Sequence, residues 1–213
     1  MDVAYRTEVG HVRSRNEDAL LARPERGVLA VADGLGGHPA GDVASLTALA
    51  SVDGAALSAG SSEDDLRAAA AVAHQAVLDA AAAEPGRTGM GTTLVLAAVS
   101  DDAALVLHVG DSRAYLLAAD GELSAITQDH GMHGYLTQAL GLDREVAPDV
   151  ARVECPPGSR LLLCTDGLTN MVDDADLAGL LGRGSAQDAC DALVESALDA
   201  GGVDNVTVVV VAF

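Results

Sequence analysis

In 213 residues the chain carries 12 basic side chains against 32 acidic ones, a formal net charge of −20. That excess repels phosphate backbones and anionic bilayers, which argues against nucleic acid and membrane as partners. A hydrophobic content of 49% supports one large domain or two small ones, and with three tyrosines, one phenylalanine and no tryptophan the core falls to Val, Leu and Ala.

Cys155, Cys164 and Cys190 are odd in number and lack C-x-x-C spacing, so neither a disulfide framework nor a zinc knuckle is indicated and a reducing cytosol is expected. The opening MDVAYRTEVG has no signal-peptide core, and no apolar run approaches the ~18 residues of a membrane helix. A cytoplasmic protein is expected.

Residues 2–9 alternate as an exposed edge strand does. The polar loop HVRSRNED follows, and its spacing R-x-x-N-x-D gathers Arg13, Asn16 and Asp18 in one compact turn. The Arg13 fork suits phosphate oxygens and Asp18 suits a metal-bound water, though a charged surface loop is the simpler account of them. Residues 19–22 start a second strand.

The stretch VLAVADGLGGHPAG, residues 28–41, organises the chain. Five apolar residues read as a strand covered on both faces and deliver Asp33 to its edge, where glycines allow a tight turn and a close approach. An acid there is either an ordinary Asp-Gly turn or a carboxylate facing a divalent cation. Residues 41–57 and 63–84 then carry apolar side chains at helical spacing, with Ser61 or Ser62 as cap of the second helix and His74 partly buried inside it.

Pro85 to Arg87 breaks that helix. Strands are predicted at 94–99, 103–109 and 114–117, with hairpin-like turns at 100–102 and 120–121. GDSR, residues 110–113, reads either as a turn within the sheet or as a polar knot supporting a site. Residues 125–129 are expected to end a strand in Asp129, and 135–140 to form one or two helical turns beyond His130 and His133, which a surface loop accommodates.

Residues 160–165 form a second continuous apolar strand and run into Asp166-Gly167-Leu168, which repeats Asp33-Gly34-Leu35. Two helices, 174–181 and 186–200, precede Asp204-Asn205 and the closing strand, with Cys190 in the core. Carboxylates delivered by separate elements are how a two-metal site is assembled. Strands, helices, strands, helices and a final strand indicate an α+β fold rather than β-α alternation.

Seven motifs in register, RSRNED, ADGLGGH, GMGTTL, HVGDSR, ITQDH, LLCTDGL and DNVTV, resemble the metal-dependent Ser/Thr protein phosphatases of the protein phosphatase 2C family, in its compact bacterial form. The resemblance covers essentially the whole chain as one catalytic domain, 1–213. It implies two packed antiparallel β-sheets flanked by helices on both outer faces, a four-layer α-β-β-α sandwich. It also implies two Mn²⁺ or Mg²⁺ ions, with room for a third.

Residue by residue, Asp33 resembles the carboxylate bridging both ions, and Asp166 and Asp204 resemble further ligands of one. The Gly34 carbonyl would bind the other, with Asp18 reaching it through water. Asp129, with Asp166, matches the acids of the third ion, and Arg13 the phosphate-binding arginine. The implied reaction is hydrolysis of phosphoserine or phosphothreonine by direct attack of a metal-bridging hydroxide. Where many members carry a histidine after the D-G pair this chain has Leu35, which leaves His38 or a metal-bound water as proton donor. The flap between Asp129 and Leu140 is shortened, and an open cleft is expected. The implied partners are phosphoproteins modified by a Ser/Thr kinase, met by a monomer. A phosphoprotein-binding domain without turnover and a phosphatase of small phosphoesters are the alternatives.

Overall fold

The structure, a computed structural model, describes residues 1–35, 40–132, 135–142 and 145–213. Its strands are β1 (Asp2–Glu8), β2 (Asp18–Arg23), β3 (Val28–Asp33), β4 (Leu94–Val99), β5 (Ala103–Val109), β6 (Arg113–Leu117), β7 (Leu123–Ala125), β8 (Gly131–Met132), β9 (Tyr135–Leu136), β10 (Asp149–Glu154), β11 (Arg160–Cys164) and β12 (Val206–Ala212). The helices are α1 (Gly41–Gly54), α2 (Glu63–Ala83), α3 (Asp166–Thr169), α4 (Asp174–Leu181) and α5 (Ala186–Asp199), with a 3₁₀ turn at Pro85–Arg87.

Two five-stranded antiparallel sheets, ordered β1-β12-β11-β6-β7 and β10-β5-β4-β3-β2, carry the fold. Strand alternation splits each sheet between two cores. Leu29, Val31, Val95, Val106, Leu161, Leu163, Val209 and Val211 fill the space between the sheets. Val28, Ala30, Leu96 and Leu107 face outward instead, onto Ala48, Val52, Leu66 and Val77 of α1 and α2. On the opposite side Leu162, Val208 and Val210 meet Leu177, Leu193 and Val194 of α4 and α5. The layers are therefore α-β-β-α, as the resemblance implies. Small side chains suffice because β3, β4 and β12 are buried on both faces. Among the described residues no helix is long and apolar enough to cross a membrane.

Of the two candidate caps, Ser62 takes the role, accepting from the Asp65 amide while Asp65 accepts from the Ser62 amide. Cys190 is buried against the outer face of the β12 sheet.

Three expectations are corrected and one strand is added. The segment 135–140 is extended, not helical: β9 pairs with β8, Thr137 donates to the His130 carbonyl, and Leu140 and Thr92 exchange backbone bonds of 2.9 and 3.0 Å. These partners outweigh a six-residue helix, whose nucleation is costly. Strand β7 stops at Ala125, so Asp129 lies in the irregular segment beyond it. GDSR is not a turn within one sheet, because β5 and β6 belong to different sheets and residues 110–112 carry the chain between them. Finally, β10 pairs along the edge strand position beside β5, a strand that the loose alternation of DVARVE had not revealed.

Candidate metal centre

One end of the sandwich receives every acid singled out in the sequence. β3 ends there with Asp33, β2 begins there with Asp18, β11 leads there into Asp166, and Asp204 precedes β12. Pairing in the β2–β3 ladder sets Asp18 directly opposite Asp33. Threonines then hold these termini in place. The Asp33 amide donates to Thr93 Oγ1 at 2.9 Å, and its carbonyl accepts from Thr92 Oγ1 at 2.9 Å, so the Asp33 backbone is fixed. Asp18 Oδ2 accepts from Thr165 Oγ1 at 2.9 Å and Thr207 Oγ1 at 2.6 Å, tying β2 to the other sheet.

Two glycines permit the close approach. A Cβ on Gly34 would stand 2.2 Å from the Gly41 carbonyl oxygen, and one on Gly167 would stand 1.9 Å from that of Asn205. Each follows an acid, so any larger residue would push that acid out of place. Asn205 completes the frame, accepting from the Glu17 amide and donating to the Val9 and Arg15 carbonyls.

The electrostatics of the cluster are unfavourable for carboxylates alone. Burial, followed by the Asp18 and Asp166 charges, drives the Asp33 pKa well above the usual range, and Asp33 and Asp166 are close enough to share a proton. Burial likewise raises Asp18, against the two threonine hydrogen bonds that lower it. Asp18 Oδ1 is buried with no hydrogen-bond partner among the described residues. Arg13 donates to Asp204 Oδ2 at 2.7 Å, and that bond keeps it charged.

Arg13, Asp33, Gly34, Asp129, Asp166 and Asp204 all line one cavity of about 690 Å³, and Asp18 is buried, outside its lining. His38 lies outside the described residues. Asp129 reaches the cavity but gives both carboxylate oxygens to Arg113, at 2.8 Å from Nε and 2.8 Å from Nη2. A cavity-lining acid that was not singled out is Asp111, whose pKa is pushed up to about 6 by burial and then by the Asp166 charge. Its signal was present in the GDSR knot. Leu35, Leu136 and Leu142 give the opening an apolar rim.

His130 is also corrected: it is no surface-loop residue, since its side chain is only 9% exposed.

An array of carboxylates with an orphaned buried oxygen and few cations is an incomplete electrostatic unit. Oxygen-only donors of this kind fit hard divalent cations such as Mg²⁺ or Mn²⁺.

Comparison with known proteins agrees with this chemistry. The family profile described as Protein phosphatase 2C matches residues 9–198. The serine/threonine protein phosphatase PstP of Mycobacterium tuberculosis is 37% identical over 234 residues, covering 97% of this chain but 44% of that protein, so the chain spans less than half of that relative's length. The serine/threonine phosphatase stp of Listeria innocua is 32% identical over 241 residues, covering 99% of this chain and 95% of that protein. Among solved structures, the catalytic domain of PstP in complex with two manganese ions superposes with a TM-score of 0.88 at 37% identity, covering 98% of this chain and 96% of that one.

Proposed function

The chain belongs to the protein phosphatase 2C family, and from that membership we propose that it is a metal-dependent protein phosphatase acting on phosphoserine and phosphothreonine. The observation that carries the reading is the carboxylate cluster, in which Asp18 Oδ1 has no partner among the described residues and Asp33 and Asp166 are crowded together at one cavity. Asp33, Asp166, Asp204 and the Gly34 carbonyl would hold two Mn²⁺ or Mg²⁺ ions, with Asp18 acting through water. When bound, such ions supply Lewis acidity and lower the pKa of water.

The chain's own residues do the rest. Arg13 is placed to donate from its guanidinium to the phosphoryl oxygens, exchanging part of its contact with Asp204 for the substrate. Asn170 orients Asp166 by donating to Oδ2 at 3.0 Å. Thr92 and Thr93 hold Asp33 against recoil, which matters because such catalysis rests on positioning and electrostatics. A third, weaker ion falls to Asp111 with Asp166 rather than to Asp129, whose oxygens are engaged by Arg113. His38 is the chain's own candidate to protonate the leaving oxygen.

The proposed partners are phosphoproteins of a Ser/Thr kinase, met by a cytoplasmic monomer. Three free, buried cysteines accord with a reducing compartment. The completeness of the carboxylate set argues against a binding domain without turnover. The deciding comparison is phosphate release from a phosphothreonine protein and from a sugar phosphate at equal Mn²⁺. Preference for the phosphoprotein supports the proposal, and preference for the sugar phosphate overturns it.

A further inference from the structure

Outside the lining of the acidic cavity, His108 occupies the last position but one of β5. Its ring is 1% exposed, and neither Nδ1 nor Nε2 has a hydrogen-bond partner among the described residues. The Gly110 backbone lies near enough to act upward on its pKa but not at hydrogen-bonding geometry. Every neutral imidazole carries one N–H, so leaving both nitrogens unmet carries the desolvation penalty of a buried donor and acceptor. Such a group asks for a ligand.

Two further donors face it. The His130 ring centroid stands 4.5 Å away with the planes tilted by 42°. Asp149, the cross-strand partner of His108 in β10, reaches His130 Nε2 with Oδ2 at 3.1 Å. One ligand atom from each of the three residues can be chosen so that all lie within 4.8 Å of one another.

We infer that His108, His130 and Asp149 form a separate metal site, of mixed nitrogen and oxygen donors, that takes a zinc-class divalent ion. Two imidazoles suit Zn²⁺, Co²⁺ or Fe²⁺ far better than Mg²⁺, whereas the all-oxygen cavity favours Mg²⁺ or Mn²⁺. Donor chemistry therefore sorts the ions between the two places. Tetrahedral bonds of about 2.0–2.1 Å put ligand atoms roughly 3.4 Å apart. Asp149 is largely exposed and free to rotate the remaining distance. Burial, and then the neighbouring His130, hold His108 neutral with a pKa down to about 4, so its lone pair is available.

Occupation has a structural consequence. The Gly110 amide donates to His130 Nδ1 at 3.2 Å, which leaves the proton of the neutral ring on Nε2. With a metal ion on Nε2 that proton moves to Nδ1, where it faces the Gly110 N–H, and the bond between them is lost. The ion thereby acts on the crossover that carries Asp111 into the acidic cavity.

The test titrates Zn²⁺ into the full chain saturated with Mg²⁺. Bound zinc is measured by dialysis and metal analysis, and the His108 and His130 ring nitrogens are followed by NMR. One equivalent is expected to bind the chain and its Asp33→Asn variant alike, shifting both rings. Asp149→Asn, a change at an exposed position, should weaken that binding by at least the roughly 10–100-fold that loss of an outer partner costs. His108→Gln should do the same. No zinc bound, binding without movement of the two rings, or unchanged affinity in Asp149→Asn would each overturn the site.

Discussion

Asp18 and Asp33 stand opposite one another across the β2–β3 ladder, one acid buried and the other partly buried at the cavity wall, where like charges destabilise a sheet. A divalent cation turns that liability into a bond. Adding Mn²⁺ to the chelated protein is therefore expected to raise its melting temperature. At a hundred times the dissociation constant the gain is about 2.7 kcal/mol, or roughly 5–10 °C for a domain of this size. Asp33→Asn should melt higher than the parent without metal and gain little when Mn²⁺ is added. Scanning calorimetry with and without chelator checks both.

The same repulsion fixes a pH dependence for the metal-free chain. Burial above all, together with neighbouring carboxylates, raises the pKa values of Asp18, Asp33 and Asp166, and takes Asp111 to about 6. An acid whose folded pKa is raised binds more protons folded than unfolded, so stability falls as pH climbs from the unfolded value through the folded one. In chelator the melting temperature should be higher near pH ~5 than near pH ~8, and saturating Mn²⁺ should flatten the trend. A metal-free melting temperature that rises over this interval would contradict the account.

Asp111 and Asp129 should separate cleanly. Asp129→Asn breaks the fork to Arg113, a half-exposed pair worth about 1 kcal/mol, and should lower the melting temperature by roughly 2–4 °C without changing the number of ions bound. Asp111→Asn should leave stability in chelator equal or better and abolish the weakest Mn²⁺ equivalent. Equilibrium dialysis with metal analysis reads the difference.

Leu35 lines the cavity at the position where many family members carry a histidine. Leu35→His is expected to raise kcat on a phosphothreonine peptide at least about tenfold, within the range of general acids. It should hardly change turnover of p-nitrophenyl phosphate, whose leaving group needs no proton. Equal gains on both substrates would assign the effect to something other than proton transfer.

The buried strands and their acids were legible because period and composition agree there. VLAVAD and LLLCTD are uninterrupted apolar runs that stop at one charge, and only a strand covered on both faces is built so. The helices were legible from their spacing and from Ser62. Residues 135–140 were not, because their conformation is set by distant partners at Thr92 and by the local β8–β9 pairing rather than by propensity. Asp129 and Asp111 look alike as motif acids. Only folding shows that Arg113 takes the first while the second faces Asp166. The pairing of His108 with Asp149 was hidden for a similar reason, since it depends on β10 joining the sheet beside β5.

The most direct test of the carboxylate cluster as a metal-dependent catalytic centre is phosphate release from a phosphothreonine peptide with Mn²⁺ and with chelator, for the parent chain, Asp33→Asn and Asp166→Asn. Turnover that requires Mn²⁺ and disappears in both variants, with the fold intact by circular dichroism, is the expected result. Turnover that survives chelator, or that either variant retains at the parent rate, would contradict it.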